Sequence, residues 1–165
     1  MTIETKLDFK MYLNLMYTLT YRKPTIIILS IIGLTMVFSS ALYFLGFKIP
    51  FDEPPYSHLL FGFFFIAYMP FSIYRTGKKN FSSYSRLQEK IIYEFTDEKI
   101  KLIGETFNSE MDWTKIHKIL ELKDWVLIYQ NSQFFNLIPK ESFSDKLDEF
   151  KDLVKMKGVK AKLKK

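Results

Sequence analysis

His58 and His117 are the two histidines of the chain, and neither has a second histidine or a spaced carboxylate beside it in a metal-ligand pattern. Cysteine is missing altogether, which excludes disulfides, iron–sulfur clusters, thiolate zinc sites and a cysteine nucleophile in one step. Asp97, Glu98, Glu110 and Asp112 are the carboxylates close enough in sequence for paired acid–base work. They fall at predicted turns and strand edges, where solvated surface charge is the ordinary state. No GxSxG, P-loop or GxGxxG pattern is present, and 6 glycines leave little for a phosphate-cradling loop. The expectation is a chain that is not an enzyme and holds no cofactor and no metal.

Charge offers a second kind of chemistry. The net charge is +6, and its placement matters more than its size. Arg22 and Lys23 precede one long apolar stretch, while Arg75, Lys78, Lys79 and Arg86 follow another. These six are the candidate contacts to anionic lipid headgroups, each worth roughly 1 kcal/mol near a membrane surface. From Arg75 onward, 19 Lys/Arg are interspersed with 14 Asp/Glu. That mixture argues against nucleic acid, which would need an unopposed basic face. Trp113 and Trp125 both suit the core of a sheet. Trp125, next to Asp124 at a strand start, is the candidate for an exposed partner surface.

The elements that position these residues follow from polarity. Pro24–Phe47 and Pro54–Tyr74 contain no Asp, Glu, Lys or Arg. A bilayer core of ~30 Å demands about 20 residues of helix, and each stretch supplies that. Lipid leaves the backbone no other donor or acceptor, so helix is expected despite the many isoleucines. Ser39-Ser40-Ala41 offers a signal-peptidase-like site, but the apolar run continues past it to Phe47. Spans without ionisable residues also argue against a transporter acting alone. The loop charges predict that both termini face the cytoplasm.

The resulting organisation is residues 1–23 as an N-terminal strand and amphipathic interfacial helix, 24–47 as the first span and 48–53 as an external connector. Residues 54–74 form the second span, and 75–89 a basic juxtamembrane linker. Residues 90–158 are a cytoplasmic domain, and 159–165 a basic tail expected to fray. Within 90–158, Ile91, Tyr93 and Phe95 alternate with more polar neighbours, and several further short runs do the same. Phe143, Leu147, Phe150 and Val154 share one helical face, with Ser142 or Ser144 placed to cap it. The fold class is an α+β membrane protein. It combines a two-helix transmembrane hairpin with a small antiparallel meander, or pleckstrin-homology-like barrel, capped by a C-terminal helix.

Asp8-Phe9 and Arg22 before the first span, Trp113-Thr114-Lys115-Ile116, Tyr129, Ile138-Pro139-Lys140 and Phe143-Ser144 resemble the YcxB-like family of small bacterial membrane proteins. The resemblance implies a bacterial inner-membrane location and a pleckstrin-homology-like C-terminal domain. It implies no reaction. In that fold Thr2–Leu7 becomes a seventh strand, returned to the sheet because both ends of the hairpin lie on one side. The functional expectation is a membrane-tethered, non-catalytic binding or regulatory module. Its partners are the lipid bilayer and another membrane protein or a second copy of itself. A small homo-oligomeric or accessory subunit is the alternative, with Gly33, Ser40 and Gly62 as the packing residues. An enzyme on a lipid-proximal substrate is the remaining one.

Overall fold

The computed structural model describes residues 1–163. The chain divides into two units: residues 1–8 with everything from Tyr84 onward, and Phe9–Ser83. The first unit is therefore discontinuous. Strand β1 (Thr2–Lys6) pairs antiparallel with β2 (Lys90–Phe95), Lys6 opposite Lys90 and Thr2 opposite Glu94. The Met1 and Phe95 backbones extend the ladder, with Phe95 N–H donating to the Met1 carbonyl at 2.8 Å.

Strands β3 (Lys99–Ile103) and β4 (Asn108–Asp112) complete a sheet in the order β1-β2-β3-β4. A 3₁₀ turn, Trp113–Lys115, then carries the chain into a second sheet. Its strands are β5 (Lys118–Glu121), β6 (Trp125–Tyr129), β7 (Phe135–Pro139) and β8 (Ala161–Lys162), in the order β7-β6-β5-β8. The described residues thus form two four-stranded sheets and no closed barrel, which corrects the barrel expected from sequence. The expected tail at 159–165 is also partly structured: β8 runs parallel to β5, and Val159 and Leu163 pack on the core. Lys164 and Lys165 lie outside the described residues.

Alternation explains the core. Ile3, Tyr93, Phe95, Ile100, Leu102, Met111 and Trp113 from the first sheet meet Ile119, Val126, Ile128 and Ile138 from the second. The C-terminal helix, Leu147–Met156, adds Phe150 and Val154, both fully buried. No serine caps that helix. Lys146 occupies the N-cap, after a 3₁₀ turn Lys140–Phe143 and a positive φ of 50° at Ser144. The turn buries Phe143 in the core before the helix begins, so the shared apolar face spans two elements.

The second unit is helical: α1 (Phe9–Tyr21), α2 (Pro24–Phe44) and α3 (Tyr56–Ser83). The C-terminal helix Leu147–Met156 is α4. Helix α2 ends three residues short of Phe47 in a Schellman motif. Gly46, at φ +84°, donates to Tyr43, and Phe47 N–H reaches the Leu42 carbonyl at 3.1 Å. Helix α3 runs nine residues past Tyr74, so most of the expected juxtamembrane linker is helix. Pro70 lacks an N–H and its ring crowds the carbonyl four residues back. A π-helical turn over Phe64–Tyr68 widens the helix there and makes room. Helix α1 packs on the C-terminal half of α3, with Phe9 at 5.7 Å from Tyr74 and Tyr12 at 5.6 Å from Phe81, ring to ring. The Tyr17 hydroxyl donates to the Pro70 carbonyl at 2.9 Å.

Helices α2 and α3 touch where side chains vanish. A Cβ on Gly62 would overlap Val37 Cγ2 and lie 2.7 Å from the Gly33 carbonyl oxygen. Ser40 is fully buried in the same hairpin, its hydroxyl donating to Met36 at 2.8 Å. The small residues Gly33, Ser40 and Gly62 are used within one chain, so they are not an outward packing surface. Gly62→Ala is expected to destabilise the hairpin by about 1–3 kcal/mol, since backbone cannot rotate out of the way. A thermal melt of the full chain in micelles, followed by helical circular dichroism, checks this. An unshifted melt would mean that the helices do not approach at Gly62.

Both α2 and α3 are long and apolar enough to cross a membrane by length and composition. Their large side chains are exposed: Phe38 is 66% and Leu60 73% accessible.

Candidate functional site

The richest constellation lies inside the first unit, between its two sheets. On β2 the inward residues run Ile91, Tyr93, Phe95. Phe95 meets Phe150 of α4, rings 5.0 Å apart, while Ile91 and Tyr93 line an open cleft of about 350 Å³. Helix α4 packs on Phe95, while Ile91 and Tyr93 face the cleft. Leu7, Leu102 and Leu137 supply more of the apolar wall, and Ser109, Gln130 and Asn136 bring neutral polar groups.

The mouth is built by one hairpin. Glu89 accepts from the Thr106 backbone N–H at 2.9 Å and from its hydroxyl at 2.6 Å, tying the β3–β4 turn to the chain before β2. Those two hydrogen bonds hold the Glu89 carboxyl below its ordinary range. Gly104 N–H donates to Phe107 across the turn at 2.8 Å. A Cβ on Gly104 would overlap the Phe107 ring, so glycine is what lets that ring fold back over the turn. The Arg86 guanidinium then sits 5.0 Å over the Phe107 ring.

Arg86 belongs to the two-sheet unit, and the other five expected headgroup contacts belong to the helical unit. Arg86 sits in a 3₁₀ turn, Ser85–Leu87, and lines the cleft. Arg75, Lys78 and Lys79 lie on one stripe of α3 with Phe71 and Tyr74. Arg22 and Lys23 are exposed between α1 and α2.

Trp125, expected at an exposed partner surface, is 2% accessible. It opens β6, where Trp125, Val126, Leu127 and Ile128 are all buried because both faces of the strand are covered. A strand covered on one face would have left Trp125 half open. Its indole N–H has no acceptor among the described residues.

The carboxylates considered for acid–base work are elsewhere: Glu110 pairs with Lys99, Asp112 with Lys115 at 3.0 Å, and Asp97 with Lys157 at 3.0 Å, all with exposed acids. His117 is exposed, and His58 sits 5.0 Å from the Phe51 ring at the hairpin tip. Among the described residues no three His, Asp or Glu gather for a metal. The deeply buried carboxylate is a different one, Glu121, which nothing in its local sequence distinguishes. It is met by Lys140 and by Lys151, the latter at 3.7 Å.

Residues 95–154 match the family model for YcxB-like protein. That segment is YcxB-like. It runs from the end of β2 through most of α4 and covers less than half of the chain. Comparison with curated proteins and with solved structures finds no match. The YcxB-like segment contains Gly104, Thr106, Phe107 and the Glu121–Lys140–Lys151 cluster. Arg86, Glu89, Tyr93, β1 and the helical hairpin lie outside it.

Proposed function

We propose that the chain is a membrane-tethered, non-catalytic binding module. Helices α2 and α3 cross the bacterial inner membrane, and the two-sheet unit and both termini lie on the cytoplasmic side. The observation that carries this reading is the exposure of large apolar side chains along both helices, which water penalises and acyl chains accept.

Topology supports it. Strands β1 and β2 are hydrogen-bonded neighbours, and the whole hairpin is inserted between them. A chain that leaves a sheet and rejoins it beside the strand it left crosses any membrane an even number of times. Two apolar helices are that number. The stripe Phe71, Tyr74, Arg75, Lys78, Lys79 and Ser82 supports the placement of the cytoplasmic boundary, aromatic rings first and cations beyond them. Aromatic contacts at the other end, Tyr43 with Phe51 and Phe44 with Tyr56, suit the opposite boundary. The strand order, with β1–β4 in one sheet, β5–β7 in the next and α4 against the core, supports a pleckstrin-homology-like descent for the soluble unit. The non-catalytic reading is supported by surface carboxylates already engaged with lysines.

The absence of native cysteine makes the test clean. Asp52→Cys in the connector should react with a membrane-impermeant maleimide on intact cells, and Asp97→Cys in the β2–β3 turn only after permeabilisation. The chain should stay in the membrane through alkaline carbonate washing. Extraction by carbonate, or labelling of Asp97→Cys from outside, would overturn the reading.

A further inference from the structure

We infer that the inter-sheet cleft is a binding site for a small monoanionic amphiphile, a carboxylate carrying one short acyl chain or ring, with the carboxylate on Arg86 and the apolar body between the sheets. The inference rests on the binding-module reading and names the site and ligand class that reading lacks.

Size limits the occupant. About 350 Å³ is at the small end of the ~300–1,000 Å³ typical of small-molecule sites. Between its walls it has room for one short chain or ring. Wall chemistry sets its polarity: Leu7, Ile91, Leu102 and Leu137 want an apolar body. Charge then fixes the head. Arg86 lines the cleft, stacks on Phe107, and makes no ion pair among the described residues. Its acidic neighbour, Glu89, attracts it from beyond ion-pair distance, but the Glu89 oxygens are engaged by Thr106 and Glu89 does not line the cleft. A planar guanidinium presents a fork of donors that matches a carboxylate. With one cation in the lining, a monoanion is balanced and a dianion is not.

Three polar side chains in the lining are also poorly employed. Tyr93 is 2% exposed, and its hydroxyl makes no hydrogen bond among the described residues. Gln130 Nε2 donates to the Met111 sulfur at 3.1 Å, and Asn136 Nδ2 lies 3.5 Å from the same atom. A thioether is a weak acceptor, so an oxygen entering the cleft would be the better partner for both amides.

The experiment uses the full chain in phosphatidylcholine nanodiscs, with empty nanodiscs as the partition control. Octanoate should bind saturably by calorimetry, and octanol at least tenfold more weakly. Arg86→Gln should weaken octanoate roughly tenfold or more and leave octanol unchanged, the loss expected of a charge-assisted contact. Ser109→Trp should fill the cleft and abolish both. In ¹³C-tyrosine spectra, the resonance missing from Tyr93→Phe should shift when octanoate is added. Equal binding of octanoate and octanol, an unmoved Tyr93 resonance, or full binding by Ser109→Trp would overturn the proposal. The two readings fail separately. A chain extracted by carbonate that still binds octanoate loses the tether and keeps the site. A membrane-held chain blind to octanoate does the reverse.

Discussion

Phe150→Ala is expected to destabilise the two-sheet unit by about 3–5 kcal/mol, the usual cost of deleting a fully buried aromatic ring. Phe150 is 0% exposed. Its ring lies 5.0 Å from both Phe95 and Phe143, so it joins β2, the 3₁₀ turn after β7 and α4 in one contact. No neighbour can slide in to replace it, because Phe95 is also held against Trp113 at 6.2 Å and Tyr93 at 6.2 Å. A domain typically has only ~5–15 kcal/mol in hand, so this one truncation removes a large part of its stability. Urea unfolding of the full chain in micelles, followed by tryptophan fluorescence, measures the loss. Val154→Ala, two methyl groups smaller on the same buried face, should cost about 1–2.5 kcal/mol. A loss below 1 kcal/mol for Phe150→Ala, set against the ~3 kcal/mol minimum for such a ring, would mean that α4 does not close this end of the sheets.

The contrast between the two ends of the inter-sheet space explains what sequence does and does not reveal. The α4 end is local: Phe143, Phe150 and Val154 repeat within a dozen residues, and their periodicity reads directly as a buried face. The two apolar helices are equally plain, because a run without charge needs no partner to be recognised. The cleft end is non-local. Arg86, Phe107 and Tyr93 come together only through the register of β2 on β3, and Arg86 reads in sequence as one more cation after a span. Glu89 looks like a surface acid until Thr106 is seen to hold it.

Two departures from the expected strand pattern have the same root. Period-two alternation assumes one wet face. Strand β6 has none, so Trp125 is buried although Asp124 beside it is exposed. The break between sheets at Trp113–Lys115 carries no glycine or proline to mark it in the sequence. What ends β4 is partly tertiary. The Trp113 indole N–H donates to the Thr96 carbonyl at 2.9 Å, and Ile116 N–H closes the 3₁₀ turn. The Thr96 partner, 17 residues away, is not predictable from the local residues.

Glu121 is the position where burial is least visible in the sequence and where substitution should be most instructive. Its side chain is 1% exposed, on the inward face of β5 with Ile119. Lys140 reaches it from the 3₁₀ turn after β7 and Lys151 from α4, with side chains 22% and 15% exposed. The carboxylate thus joins the second sheet to both following elements. Lys140→Ala should cost about 3–5 kcal/mol, because it removes the nearer of the two cations and leaves a desolvated carboxylate leaning on Lys151 at 3.7 Å. Glu121→Leu should cost less, since both lysines retain a path to water along their stems. The double variant Glu121→Leu/Lys140→Met should return to within about 1 kcal/mol of the parent, because an apolar pair carries no desolvation penalty. Urea unfolding of the parent and these variants tests the coupling, and salt at about 1 M should barely change it, since buried pairs are poorly screened. Near-additive losses in the double variant would show that the cluster acts through packing. A neutral Lys140→Ala would show that Glu121 is solvated in solution.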